Sequence, residues 1–181
     1  MSRGDVSPLP NGPHETDAGF SEYVAAHVDR LRFTAYLLCG DWHEAEDLTQ
    51  AAFVRLYLAW SRVDRTESID SYVRKILTRT YLNERRRLWR KLERLTSAPP
   101  EVSSAPETGP EQRMLVMQAL AQVPQRQRAA LVLRYWEDLS LVETADVLGC
   151  SVGNVKSQCA RGLQRLRELL PTDLVRGGRG V

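Results

Sequence analysis

Apolar residues return every three or four positions along most of this chain, and no stretch alternates apolar with polar in the manner of a half-buried strand. Phe20, Val24, Val28, Leu31, Ala35 and Leu38 mark one helical face, and Ala45, Leu48, Ala52, Leu56 and Trp60 mark a second. Between them "GDWHE" supplies the punctuation. Gly40 ends the first helix, and Asp41 caps the next with Glu44 three residues on, in a capping-box arrangement. The pattern predicts a third helix from near Ser68 or Asp70, through Tyr72, Val73, Ile76 and Leu77 into an arginine cluster, after a loop "SRVDRTE".

Past residue 95 the pattern stops and resumes. Proline breaks helix interiors, and the nine prolines leave His14 to Ala98 and Gln125 to Leu170 free of them. "TSAPPEVSSAPETGPE", with four prolines among small polar and acidic residues, has the composition of a linker. The predicted fold class is all-α: two small helical domains, an N-terminal bundle and a C-terminal helix-turn-helix domain, joined by a flexible tether. The expected boundaries are a tail over 1–19, a bundle over 20–95, a linker over 96–111, the second domain over 112–170 and a tail over 171–181.

Within the second domain, "SLVETADVLGCSVGN" reads as two helices and a tight turn. Ser140 caps and Glu143 closes the box; Gly149 provides the left-handed stop; Ser151 caps again. Ala145 where the helices cross, Gly149 in the turn and Val155 as an apolar anchor suit a helix-turn-helix, and a packed hairpin without DNA contacts shares the same spacing. Val155, Cys159, Leu163, Leu166 and Leu170 make the expected buried stripe of the last helix. Asn154, Ser157, Gln158 and Arg161 fall on another side at i, i+3, i+4 and i+7, near the helix N-terminus, where side chains reach base edges in a major groove. Ser151, Gly153, Lys156 and Arg165, with the backbone amides after the cap, are candidates for phosphate.

Charge sharpens this picture. The net charge is only +2, but Arg79 to Arg94 carries a local +5 and Ser151 to Leu170 a local +3, so two separated basic patches sit in an otherwise acidic chain. That distribution favours a polyanion touched at two places, although a basic run is also what a solvated helix face looks like. Other classes recede. His14, His27 and His43 have no metal-ligand spacing, no glycine-rich phosphate loop is present, and no nucleophile and base are paired, so neither an enzyme, a metal site nor a cofactor is expected. Cys39, Cys150 and Cys159 fit neither a disulfide framework nor a zinc site. No apolar run reaches the roughly 20 residues of a membrane span, and 1–19 lacks a signal-peptide core, so the expected location is the cytoplasm, without membrane insertion.

Three segments in order, "HEAEDLTQAAFVRLYLAW", "SYVRKILTRTYLNERRR" and "LSLVETADVLGCSVGNVKSQCARGLQRLREL", resemble the best-marked parts of bacterial RNA polymerase sigma factors of the extracytoplasmic-function (ECF) class. The likeness spans about Phe20 to Leu170. It implies a subunit that binds polymerase core, reads the −35 duplex and captures the melted −10 strand. It implies that Asp47, Leu48, Gln50 and Phe53 meet the clamp coiled coil of the largest subunit, although acids at a helix start also simply suit its dipole. It further implies that the second domain meets the flap of the second-largest subunit, and that Tyr72, Arg79, Asn83, Arg86 and Arg87, with the loop Ser61 to Glu67, handle the −10 strand. An anti-sigma factor is a further implied partner, one that would hold otherwise independently moving lobes in a compact form.

The chain departs from the family pattern at four of these places. Tyr72 stands where tryptophan is frequent, Asn83 where aspartate is, Arg79 where asparagine is and Gln158 where arginine is, so the promoter sequence stays open. Tyr81 and Trp89 either stack on bases or pack between helices, and their isolated helical spacing favours packing. A conventional helix-turn-helix regulator with a helical partner-binding domain shares much of this sequence logic, and an adaptor for helical partners shares some of it.

Overall fold

The computed structural model describes residues 13–63, 69–92 and 111–171, with side chains over 17–63, 69–83 and 114–171. Every regular element among them is helical. The first lobe contains α1 (Pro13–Cys39), α2 (Trp42–Ala59) and α3 (Ile69–Leu92); the second contains α4 (Glu111–Ala121), α5 (Gln125–Leu131), α6 (Leu141–Leu148) and α7 (Val152–Leu169). A π-helical turn, Val132–Trp136, continues α5. The helix α1 starts inside the segment expected to be a tail, with Pro13 as its first residue. A first-turn proline costs no hydrogen bond and its fixed φ already suits a helix. Most of the expected linker and of the C-terminal tail lies outside the described residues.

Local chemistry sets the ends. Gly40 leaves α1 at φ +83°, and the Glu44 amide donates to Asp41 Oδ1 at 2.9 Å to begin α2. The α1–α2–α3 bundle closes over Leu31, Ala35, Leu38, Ala45, Leu48, Ala52, Leu56, Val73 and Leu77, all at most 5% exposed. Tyr81 joins them at 1%, which settles its role as packing. Trp89 lies beyond the described side chains.

The two lobes pack against each other, and their buried residues join in one contiguous core. This differs from the independent lobes expected of the sequence, and polar contacts accompany the apolar ones. Arg128, 6% exposed, reaches from α5 to the Leu38 carbonyl at 3.0 Å while also donating to the carbonyls of Ala121 and Val123. One guanidinium thus ties the C-terminal ends of α1 and α4 together, satisfying carbonyls that a helix leaves unpaired. Gln125 Nε2 donates to the Tyr81 carbonyl at 3.1 Å.

The π turn matters to this packing. Its wider ring, closed by the Glu137 amide on the Val132 carbonyl at 3.0 Å, inserts a residue into the helical register just before Trp136 and Glu137. Both then meet α1. The Trp136 indole stands 4.9 Å from the Phe33 ring and donates to Thr34 Oγ1, and the Glu137 carboxylate enters the seam between the lobes.

Candidate nucleic-acid interface

The helix pair α6–α7 forms as its caps dictate. Glu143 N donates to Ser140 Oγ at 3.2 Å and Ser140 N donates to Glu143 Oε2 at 2.7 Å, so the box is reciprocal. Hydrogen bonding to the Ser140 side chain and backbone holds the Glu143 carboxyl below its ordinary range. Gly149 stops α6 at φ +61°, and the amides of Gly149 and Cys150 return to the Asp146 and Ala145 carbonyls at 3.2 and 3.0 Å. Asn154 N on Ser151 Oγ at 3.2 Å starts α7.

The helix α7 then divides into two faces. Val155 and Cys159 are buried, and burial pushes the Cys159 thiol up. Gly162 is also buried, pressed so tightly on α5 that a Cβ there would sit 2.9 Å from Leu131 Cδ1. Leu163 and Leu166 are half-buried against the core and Leu170 is half-buried, all less enclosed than the spacing suggested. Opposite them Ser151, Gly153, Asn154, Lys156, Ser157, Arg161 and Arg165 are exposed, and Gln158 is half-exposed. Gln158 Nε2 donates to Asn154 Oδ1 at 3.2 Å, Arg161 Nε to the Ser157 carbonyl at 3.3 Å, and Arg165 pairs with Glu168 at 3.1 Å. These are solvent-facing bonds along one helix, easily exchanged for partners on another molecule. The eight residues expected to meet DNA in this lobe therefore share one accessible surface.

The basic face of α3 presents a different situation. Tyr72 is half-buried against the core, Asn83 is exposed, and Arg79 donates from Nε to the Val147 carbonyl at 3.4 Å and from Nη2 to the Asp146 carbonyl at 3.3 Å. The guanidinium of Arg79 is thus engaged with the end of α6. The side chains of Arg86 and Arg87, and most of the loop Ser61 to Glu67, lie outside the described residues.

On α2 the expected partner-binding set splits. Asp47 and Gln50 are exposed and Phe53 half-buried, but Leu48 is 1% exposed and belongs to the bundle core. Leu48 lies three residues from Ala45 and four from Ala52, so it points inward with them. Val54 at 59% and Leu58 at 67% stand outside instead, in line with Asp47 and Gln50, a feature the sequence reading missed. Its signal was present: both are apolar, four residues apart and off the 45–48–52–56 stripe.

Among the described residues no group of His, Cys, Asp or Glu is arranged to hold a metal, and no helix is long and apolar enough to cross a membrane.

Two family models match the chain. The model for sigma-70 region 2 covers residues 23–91, and that for sigma-70 region 4 covers residues 113–166, each centred on one lobe. The chain belongs to the sigma-70 family, in its ECF class. This sigma factor is 40% identical over 157 residues to the RNA polymerase sigma-E factor of Streptomyces coelicolor, covering 83% of this chain and 85% of that one. It is 28% identical over 169 residues to the ECF sigma factor SigW of Bacillus subtilis, covering 83% and 88%. In fold it is similar to the sigma factor RpoE of Bartonella quintana, solved with the anti-sigma factor NepR, at a TM-score of 0.72 and 22% identity over 86% of this chain and 98% of that one. A second structure, CnrH in complex with the cytosolic domain of CnrY, aligns at a TM-score of 0.57 and 21% identity over 86% of this chain and 92% of that one.

Proposed function

We propose that this ECF sigma factor docks on RNA polymerase core and selects promoters by reading the −35 duplex with α7 and capturing the melted −10 strand with α3. The catalysis belongs to the polymerase; this subunit supplies recognition. The observation that carries the reading is the division of α7 into a buried spine, Val155, Cys159 and Gly162, and an exposed polar face at i, i+3, i+4 and i+7. Such a face lies along a major groove with its N-terminal side chains on base edges and its first amides, after Ser151, on a phosphate.

Residue roles follow from chemistry. Asn154, Ser157, Gln158 and Arg161 read bases, and Ser151, Gly153, Lys156 and Arg165 hold the backbone. Arg79, Asn83, Arg86 and Arg87 supply charge and polar contacts for a single strand, and Tyr72 borders the place where an unstacked base is held. Asp47 and Gln50 meet a basic coiled coil of the clamp, with Phe53, Val54 and Leu58 supplying apolar area; Leu48 supports them from beneath. The second lobe meets the flap. The structurally similar RpoE of Bartonella quintana holds the anti-sigma factor NepR, and we assign this chain a partner of the same kind.

Run-off transcription with purified core polymerase on a library of random promoters tests this directly. The expected result is start-site selection that depends on the added chain, with a recovered two-part motif. Tight, specific binding to promoter duplex by the chain alone, with no start-site selection beside core, would instead identify a conventional regulator.

A further inference from the structure

At the seam of the lobes one carboxylate is enclosed by groups from two other helices. Glu137, its side chain 2% exposed, accepts from Thr34 at 2.6 Å, from Arg30 at 2.9 Å and from Arg74 at 3.3 Å. Thr34 and Arg30 come from α1 and Arg74 from α3, so every one of these donors belongs to the first lobe and the acceptor to the second. A buried carboxylate is tolerated only with such partners. At the next residue of α3, Lys75 pairs with Asp146 at 2.7 Å, and one turn further on Arg79 rests on the Asp146 and Val147 carbonyls. Three successive cations of the helix assigned to the −10 strand are thereby engaged by the helix-turn-helix lobe.

The packed form cannot span a promoter. Elements at −10 and −35 lie about 25 base pairs apart, or ~85 Å at about 3.4 Å per pair. A compact body of about 150 residues has a radius of gyration of only ~15 Å. If both elements are read together, as the proposed function requires and as this inference presupposes, the lobes must separate, and Glu137 must leave its socket.

We propose that Glu137, closed in by Arg30, Thr34 and Arg74, is an autoinhibitory latch: it holds the free chain in a packed state that occupies Arg74, Lys75 and Arg79 of α3, and docking on polymerase core opens it. The latch is electrostatic and hydrogen-bonded, and it sits beside an apolar part of the seam in which Trp136 meets Phe33. The exposed face of α7 stays outside the latch, which therefore blocks simultaneous use of the two DNA sites and not the −35 contact alone.

The test uses the full chain as wild type, Glu137→Gln, Arg74→Gln and the double variant. Small-angle scattering reads the radius of gyration, a binding titration reads affinity for core polymerase, and circular dichroism checks helix content. Each single variant should expand the free chain by several ångströms and tighten core binding by about tenfold, because the competent fraction multiplies the apparent affinity. The double variant should do no more than either single, since both break the same contact. If a variant loses helix content, Arg30→Gln, at a half-exposed position of the same socket, replaces it. Unchanged radius and affinity in well-folded variants overturn the latch, as do fully additive effects. Failure of wild-type chain and core to select any start site would overturn the underlying reading instead, and the two failures are distinguished by that control.

Discussion

Replacing Leu48 by alanine separates two roles that the helix α2 combines. The residue sits amid the segment proposed to meet polymerase, yet it is 1% exposed in the bundle core, so the substitution should act on stability. Removing three buried carbons forfeits about 2.4 kcal/mol of transfer free energy at about 0.8 kcal/mol per group. The cavity left behind adds to this, giving a total of about 3 kcal/mol, inside the range of about 2–5 kcal/mol for such truncations. Against a total stability of about 5–15 kcal/mol that is a large fraction, and urea unfolding followed by circular dichroism will show it as a lower midpoint. The companion variants are Val54→Asp and Leu58→Asp, at positions 59% and 67% exposed. These should leave the midpoint within about 0.5 kcal/mol of wild type and weaken core binding. The reasoning fails if Leu48→Ala unfolds like wild type while losing core affinity, for then the side chain contacts the partner and not the bundle.

Three further outcomes are expected. Gly149→Ala should cost about 1–2 kcal/mol in the unfolding midpoint: its φ of +61° strains any side chain, and the open space around it excludes a clash as the cause. The Glu143 carboxyl is held below its ordinary range by Ser140. Its contribution is therefore complete above the unfolded pKa and is lost as pH falls through the lowered one, so the midpoint difference between wild type and Glu143→Gln should shrink from about pH 7 to about pH 3. Asn154→Ala and Arg161→Ala should each lower promoter affinity by about 1–3 kcal/mol and relax preference at one base position, with unfolding unchanged, as read by transcription from single-base promoter variants.

The elements were legible where local chemistry decides them. The caps at Asp41, Ser140 and Ser151 and the stops at Gly40 and Gly149 act within four residues of their own position, and each forms as its sequence indicates. The exposed face of α7 was legible for the same reason, since one helix's period separates its sides. What escaped depends on contacts across about a hundred residues. Glu137 stands in "YWEDLS" as an ordinary surface acid, and only the approach of α1 and α3 encloses it. Periodicity reveals that a face is buried, not which lobe covers it, so the packing of the lobes and the engagement of Arg79 left no trace in the pattern. Leu48 was marked twice, by the 45–48–52–56 stripe and by the likeness to a binding segment, and its 1% exposure agrees with the stripe. Gly162 lies seven residues after Val155 on the buried stripe, and that spacing was the available sign of a close helix crossing.

The tight seat of α7 on Leu131 has an evolutionary reach. Because Val155, Cys159 and Gly162 fix the helix from behind, its outward residues beyond the Ser151 cap contribute little to folding and are free to vary singly. New target sequences can be acquired in small steps without an unstable intermediate, and a duplicated copy of this gene could diverge toward a separate set of genes while keeping the same scaffold.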